Sequence, residues 1–136
     1  LPGGSPEAAY GAFLEEHGQD PELVELLAPL GKAFGRLQQA TVLIAQKGQK
    51  DPEEAAAAAT DYLQLFGYVA VGWMWARMAV LAKAKLPRAN GEAPFYDAKL
   101  QTARFYMQRA LPQATAHFAA LSAGKASLMA LPAEAF

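Results

Sequence analysis

Apolar side chains recur along this chain at steps of three and four residues, in four stretches set apart by proline, glycine and aspartate signals. That step is the period of an α-helix with one face turned toward a core. Ser5-Pro6-Glu7 opens the first stretch, with Ser as N-cap and Pro at the first helical position. The predicted helix runs to about His17 with Tyr10, Phe13 and Leu14 on its apolar face, and Gly18 is expected to end it in the left-handed conformation. Asp20-Pro21-Glu22 repeats the start signal. Leu23, Leu27, Leu30, Phe34, Leu37, Thr41 and Ile44 then share one face. Pro29 has no N–H for the carbonyl of Glu25, which predicts a kink, and Gly48 is the expected end. Asp51-Pro52-Glu53-Glu54 is a third start, and its acids suit the positive end of a helix dipole. Five alanines, 55 to 59, propagate this helix. Its expected stripe is Tyr62, Leu65, Phe66, Val69, Trp73, Ala76 and Val80, with Met74, Trp75 and Met78 on the flanks. Lys83, Lys85 and Arg88 suit the C-terminal end, Pro87 is a stop, and Asn90-Gly91 is a turn. Pro94 starts the fourth helix, whose stripe is Tyr96, Leu100, Ala103, Met107, Ala110, Ala114, His117 or Phe118, and Leu121. Pro112 predicts a kink and Gly124 a stop. The tail Ser127–Phe136 is expected as a short cap or a loose end.

These elements predict an all-α fold: an antiparallel bundle of three long helices plus a shorter N-terminal helix, as a single domain over residues 1–136. Alanine is heavily used and β-branched residues are scarce, which argues against sheet. Short connections make neighbours antiparallel. Two helices joined near Ala89 should bring together positions whose numbers sum to about 180, because the rise per residue is constant. Trp73 is therefore expected near Tyr106, and Tyr62 near His117 or Phe118. Arg77 should fall close to Arg104, so at least one must reach solvent or find an acid such as Asp61 or Asp97.

Composition narrows the function classes. Hydrophobic residues are 53% and charged residues 18%, the balance of a folded domain. A net charge of −1 leaves no footprint for nucleic acid. With no cysteine there is no disulfide, thiolate nucleophile or thiolate metal site. The opening Leu1-Pro2-Gly3-Gly4-Ser5 has neither a basic nor an apolar signal region, and a chain beginning with Leu is expected to be a cut-out or processed piece, cytoplasmic in location. Leu63–Ala82 is about as long as a bilayer span, but it contains Gln64 and Arg77. The expectation is a central bundle helix, apolar nearly all round because its neighbours cover it, and no membrane.

Constellations for chemistry are weak. His17 and His117 lack a carboxylate three residues earlier, where Leu14 and Ala114 stand, so they are expected as surface or helix-end histidines and not metal ligands. Ser122 and His117 lie five apart on one helix, a poor geometry for a nucleophile and its base. Glu15-Glu16 and Glu53-Glu54 read as solvated helix ends. Gly31 and Gly35 lack the strand context of a phosphate loop and are expected to admit a neighbouring helix. No catalytic, cofactor-binding or metal residue is assigned. The run of Phe66, Tyr68, Trp73, Met74, Trp75, Phe105, Tyr106 and Met107 reads first as core. Consecutive residues step about 100° round a helix, however, so one neighbour cannot cover Trp73, Met74 and Trp75 together. A partner surface is the expected remedy, since aromatics, Met and Arg suit interface cores.

Two longer motifs carry a resemblance. Tyr62-Leu63-Gln64-Leu65-Phe66-Gly67 with Gly72-Trp73-Met74-Trp75-Ala76-Arg77-Met78, and Phe95-Tyr96-x-x-Lys99-Leu100-x-Thr102-Ala103-Arg104-Phe105-Tyr106 with Leu111-Pro112, resemble the last two helices of the C-terminal domain of acyl-CoA dehydrogenases. The ending Leu128-Met129-Ala130-Leu131-Pro132-Ala133-Glu134-Ala135-Phe136 resembles the C-terminus of these enzymes. The resemblance spans about Asp20 to Phe136 and is strongest to the branch that includes 3-methylmercaptopropionyl-CoA dehydrogenases. It implies a parent enzyme that binds FAD and oxidises an acyl-CoA thioester with a glutamate base, all supplied by preceding domains. No catalytic residue carries over to this chain. The implied role is structural, against the catalytic domains of the same polypeptide and in a homo-oligomer. Trp75, Arg77, Arg104 and Phe105 are the contact candidates. The alternative from another class is an independent helical module that holds a hydrophobic ligand or partner helix beside Trp73 and Trp75.

Overall fold

A computed structural model describes residues 5–136, without the side chains of Pro6 and Glu7. Its main elements are α1 (Pro6–His17), α2 (Pro21–Lys50), α3 (Pro52–Lys85), α4 (Ala93–Phe105) and α5 (Ala114–Ser122), and there is no strand among the described residues. The three start signals work as local chemistry requires. The Ser5 hydroxyl accepts from the N–H of Ala8, Asp20 from those of Glu22 and Leu23, and Asp51 from that of Glu53. Each satisfies N–H groups that the first turn leaves without helical partners.

α2, α3 and the α4–α5 pair run antiparallel around a core of Leu30, Leu65, Met107 and Leu111. The packing between the long helices leans on alanine: Ala33, Ala40, Ala58, Ala76, Ala79, Ala103 and Ala114 are all buried. α1 crosses α2 and α3 through rings. Tyr10 stacks on Phe34 at 5.0 Å between centroids, and Phe13 meets Trp73 edge-on at 5.0 Å. The expected register along α3 and the final helices holds. His117 lies against Asp61, Gln113 against Tyr68, and the Tyr106 hydroxyl donates to the Tyr68 carbonyl at 2.6 Å.

Several local expectations are corrected. Gly18 is right-handed, at φ −69°. Glycine fits there for another reason: a Cβ would lie 2.6 Å from the Leu14 carbonyl oxygen. α2 runs on through Gly48 to Lys50, and Asp51 both ends α2 and caps α3. The expected turn at Asn90-Gly91 is present, with Asn90 left-handed at φ 44°. Gly31 does admit a neighbour, the Tyr10 hydroxyl, whereas Gly35 faces open space. The expected single fourth helix is two. Pro112 cannot donate, so the backbone before it widens into a π turn over Tyr106–Ala110, where the Leu111 N–H donates to the Tyr106 carbonyl five residues back. A 3₁₀ turn, Leu111–Gln113, then leads into α5.

Trp73 and Tyr106 share a height, as expected, but the ring partners of Trp73 are Tyr10 and Phe13 of α1. The wall beside Tyr106 is Gly72, and Trp73 turns to α1. The Tyr62 hydroxyl lies 2.8 Å from that of Thr41 on α2, while its neighbour Asp61 takes His117. Constant rise sets which positions share a height, but not which face each presents. Phe66, expected in the core stripe, is 50% exposed.

Candidate interaction face

The charged groups that the fold gathers serve as clamps. Lys83, near the end of α3, reaches Asp20 at 2.7 Å and Glu22 at 2.9 Å at the start of α2. Lys125, just after α5, repeats the arrangement on Asp51 and Glu53 at the start of α3, and its backbone N–H donates to Glu54. Each Asp-Pro-Glu start is thus also a lysine receptor, holding the far end of another helix at its own N-terminus. The bond from Lys83 holds the Asp20 carboxyl below its ordinary range, and that from Lys125 does the same for Asp51. Gly124, left-handed at φ +80°, is the turn that delivers Lys125. Beyond it the tail is exposed, with Leu128, Met129, Leu131 and Phe136 all uncovered.

His117 is neither a surface nor a frayed-end residue, as the sequence had suggested. It is partly buried, 2.9 Å from Asp61 and stacked on Tyr68. The pair fastens α5 to α3. Its signal lay in the register, which put position 117 beside the start of α3. Burial pushes the Tyr106 phenol up to about 12. Among the described residues no side chain that is polar or charged is buried, and no three His, Asp or Glu stand close enough to hold a metal. Tyr62, Phe66, Trp73, Phe34 and Leu37 line an open apolar groove of about 480 Å³ between α1, α2 and α3. Only the Thr41–Tyr62 hydroxyl pair and Gln38 lend it polarity.

α3 presents the distinctive surface. Leu65, Val69, Gly72, Ala76 and Ala79 lie on its core side. Diametrically opposite, Leu63, Met74 and Leu81 are 58–68% exposed, with Gly67, Ala70 and Val71 also exposed between them. Expected cover all round is therefore found on one side only. The helix and its following turn, Pro52–Arg88, are long and apolar enough to cross a membrane by length and composition, and 33% of the most apolar window is buried.

The four contact candidates do not form one patch. Trp75 is half-buried, Arg77 exposed, Arg104 half-buried and Phe105 exposed. Arg77 stands about 160° round α3 from Trp75, and Arg104 about 160° round its helix from Tyr106, the residue that faces α3. The two arginines share a height and face apart. Neither forms an ion pair among the described residues, and Asp61 is taken by His117.

This helical unit with its uncovered helix face has known relatives. Residues 8–132 match the family described as acetyl-CoA dehydrogenase C-terminal like. The chain belongs to that family. It is also 38% identical over 74 residues to the 3-methylmercaptopropionyl-CoA dehydrogenase of Ruegeria pomeroyi. That stretch is 54% of this chain and 12% of the relative, which is several times longer. Tyr62–Met78 lies on α3 of this chain, and Phe95–Tyr106 on α4 and the start of its π turn.

Proposed function

We propose that this chain is the C-terminal helical domain of an FAD-dependent acyl-CoA dehydrogenase whose preceding domains oxidise an acyl-CoA to the 2-enoyl-CoA in the cytoplasm. Its own role is assembly: it lies on the catalytic domains of the same polypeptide and supports a homo-oligomer. The observation that carries this reading is the family match over residues 8–132 together with apolar helix faces that the chain itself leaves bare. Phe105, 64% exposed beside Arg104, is the proposed anchor on the catalytic domains, since aromatics and arginine carry interface energy. The flavin and the base belong to the rest of the polypeptide.

The test compares this chain with the longer polypeptide that ends in it. The longer form should show flavin absorbance and acyl-CoA oxidation, and the 136-residue chain neither. Phe105→Glu in the longer form should loosen the domain, read as faster proteolytic release. Oxidation by the isolated chain, or a longer polypeptide without flavin, would refute the reading. The groove beside Trp73 favours a second reading, a module for an apolar ligand. Saturable quenching of Trp73 by a fatty acyl chain, with no flavoprotein encoded upstream, would support it.

A further inference from the structure

We infer that the outer face of α3 is a two-fold seam, packing antiparallel against the same face of a second copy. The inference rests on the assembly reading above and adds the face, the register and the identity of the occupant.

An isologous contact requires a surface complementary to itself. On two antiparallel helices related by a two-fold axis, a position n residues before the axis lies beside the position n after it. Setting the axis at the level of Gly72 gives a consistent match. Leu63 falls beside Leu81 of the second copy. These two are 18 residues apart, about five full turns, so they lie on one line along the helix, about 27 Å from end to end. Met74 falls on Ala70, and Met78 on Gly67, one residue off level. Each flexible thioether side chain therefore meets a residue small enough to receive it. Gly67 and Ala70 let the axes approach to roughly 8–10 Å.

The single charge at the edge fits the same register. Arg77 falls on Phe66 of the second copy, one residue off level and on the same side of the seam, and Phe66 is 50% exposed. A guanidinium over an aromatic ring is a favourable pair. No acid lies on this face between Thr60 and Ala84. Two five-turn faces buried together reach roughly 1,000 Å², the low end for biological contacts, which fits a weak, reversible dimer. A bilayer offers no such register, and interfacial helices carry many basic residues where this face has one.

The experiment uses the 136-residue chain. Sedimentation across micromolar concentrations should show a monomer–dimer equilibrium. Met74→Asp should raise the dissociation constant roughly tenfold or more with unchanged helical circular dichroism. Val42→Asp, on an exposed part of α2, should not raise it. The chain has no cysteine, so register can be read directly. Ala70→Cys mixed with Met74→Cys should form a disulfide-linked heterodimer faster than either alone forms a homodimer. A monomer at every concentration, a dimer indifferent to Met74→Asp, cross-linking without the heterodimer preference, or a monomer that only pellets with lipid vesicles would each overturn the inference. A monomer that still caps a flavin-bearing polypeptide would leave the assembly reading standing.

Discussion

Gly72→Ala tests the tightest crossing in the core. A Cβ built on Gly72 lies 2.9 Å from Leu30 Cδ1, 3.4 Å from Tyr106 Cε1 and 3.6 Å from Leu111 Cδ1. Carbon atoms prefer about 3.5–4.0 Å, so one neighbour must yield. Leu30 is fully buried and Leu111 is 2% exposed, which leaves little room to turn aside. Overpacking of this kind costs about 1–3 kcal/mol. Exchanging glycine for alanine inside a helix returns up to about 1 kcal/mol. The net expectation is a loss of about 0–2 kcal/mol. The sharper prediction is the coupling. Leu30→Ala alone should cost about 2–5 kcal/mol by opening a cavity. In that background the new methyl enters the cavity, so Gly72→Ala should stabilise by about 1–2 kcal/mol. A double-mutant cycle from denaturant unfolding followed by circular dichroism should therefore give a coupling of about 1–4 kcal/mol. Equal effects of Gly72→Ala in both backgrounds, within about 0.5 kcal/mol, would refute the proposed contact between α2 and α3.

Leu65→Ala should cost about 2–5 kcal/mol, whereas Leu63→Ala, two residues earlier and 68% exposed, should stay within about 0.5 kcal/mol; similar losses in thermal melts of the monomer would contradict the assignment of α3's faces. The carboxyls of Asp20 and Asp51 are held low in the folded chain, so the stability they add is fully present above the ordinary carboxylate range and is lost as pH falls from that range through their lowered folded values. Asp20→Asn with Asp51→Asn keeps both caps and should flatten the acid arm of the stability–pH curve. Tyr106 has the opposite sign: its phenol is raised, so its contribution is complete below pH 10 and disappears as pH rises toward 12. Tyr106→Phe should flatten that alkaline arm, and should cost about 1 kcal/mol at neutral pH from the lost bond to the Tyr68 carbonyl.

The helix starts were legible because capping is local. Ser5, Asp20 and Asp51 bond to N–H groups two or three residues on, within the reach of a sequence motif. The disturbance at Pro112 was legible too, since a missing N–H is visible in the residue itself. That it would be absorbed as a π turn was not, because that outcome depends on Tyr106 and Leu111 both finding the core. Gly48 misled for a related reason: glycine permits an end but does not force one, and α2 had further contacts to make. The clamps of Lys83 and Lys125 join residues more than sixty positions apart. The sequence displayed both Asp-Pro-Glu receptors and both lysines, with nothing local to pair them.

The bare face illustrates the division best. Heptad-like spacing, alanine content and three capped starts were enough to determine a helical bundle, its element order and the heights at which α3 meets its neighbours. These follow from local bonding and a constant rise per residue. α3, however, is apolar nearly all round, so its sequence is compatible with burial on any side. Only packing against α2, α4 and α5 chose Leu65 and Val69 for the interior and left Leu63, Met74 and Leu81 outside, because the direction of burial is a relation between helices and not a property of one.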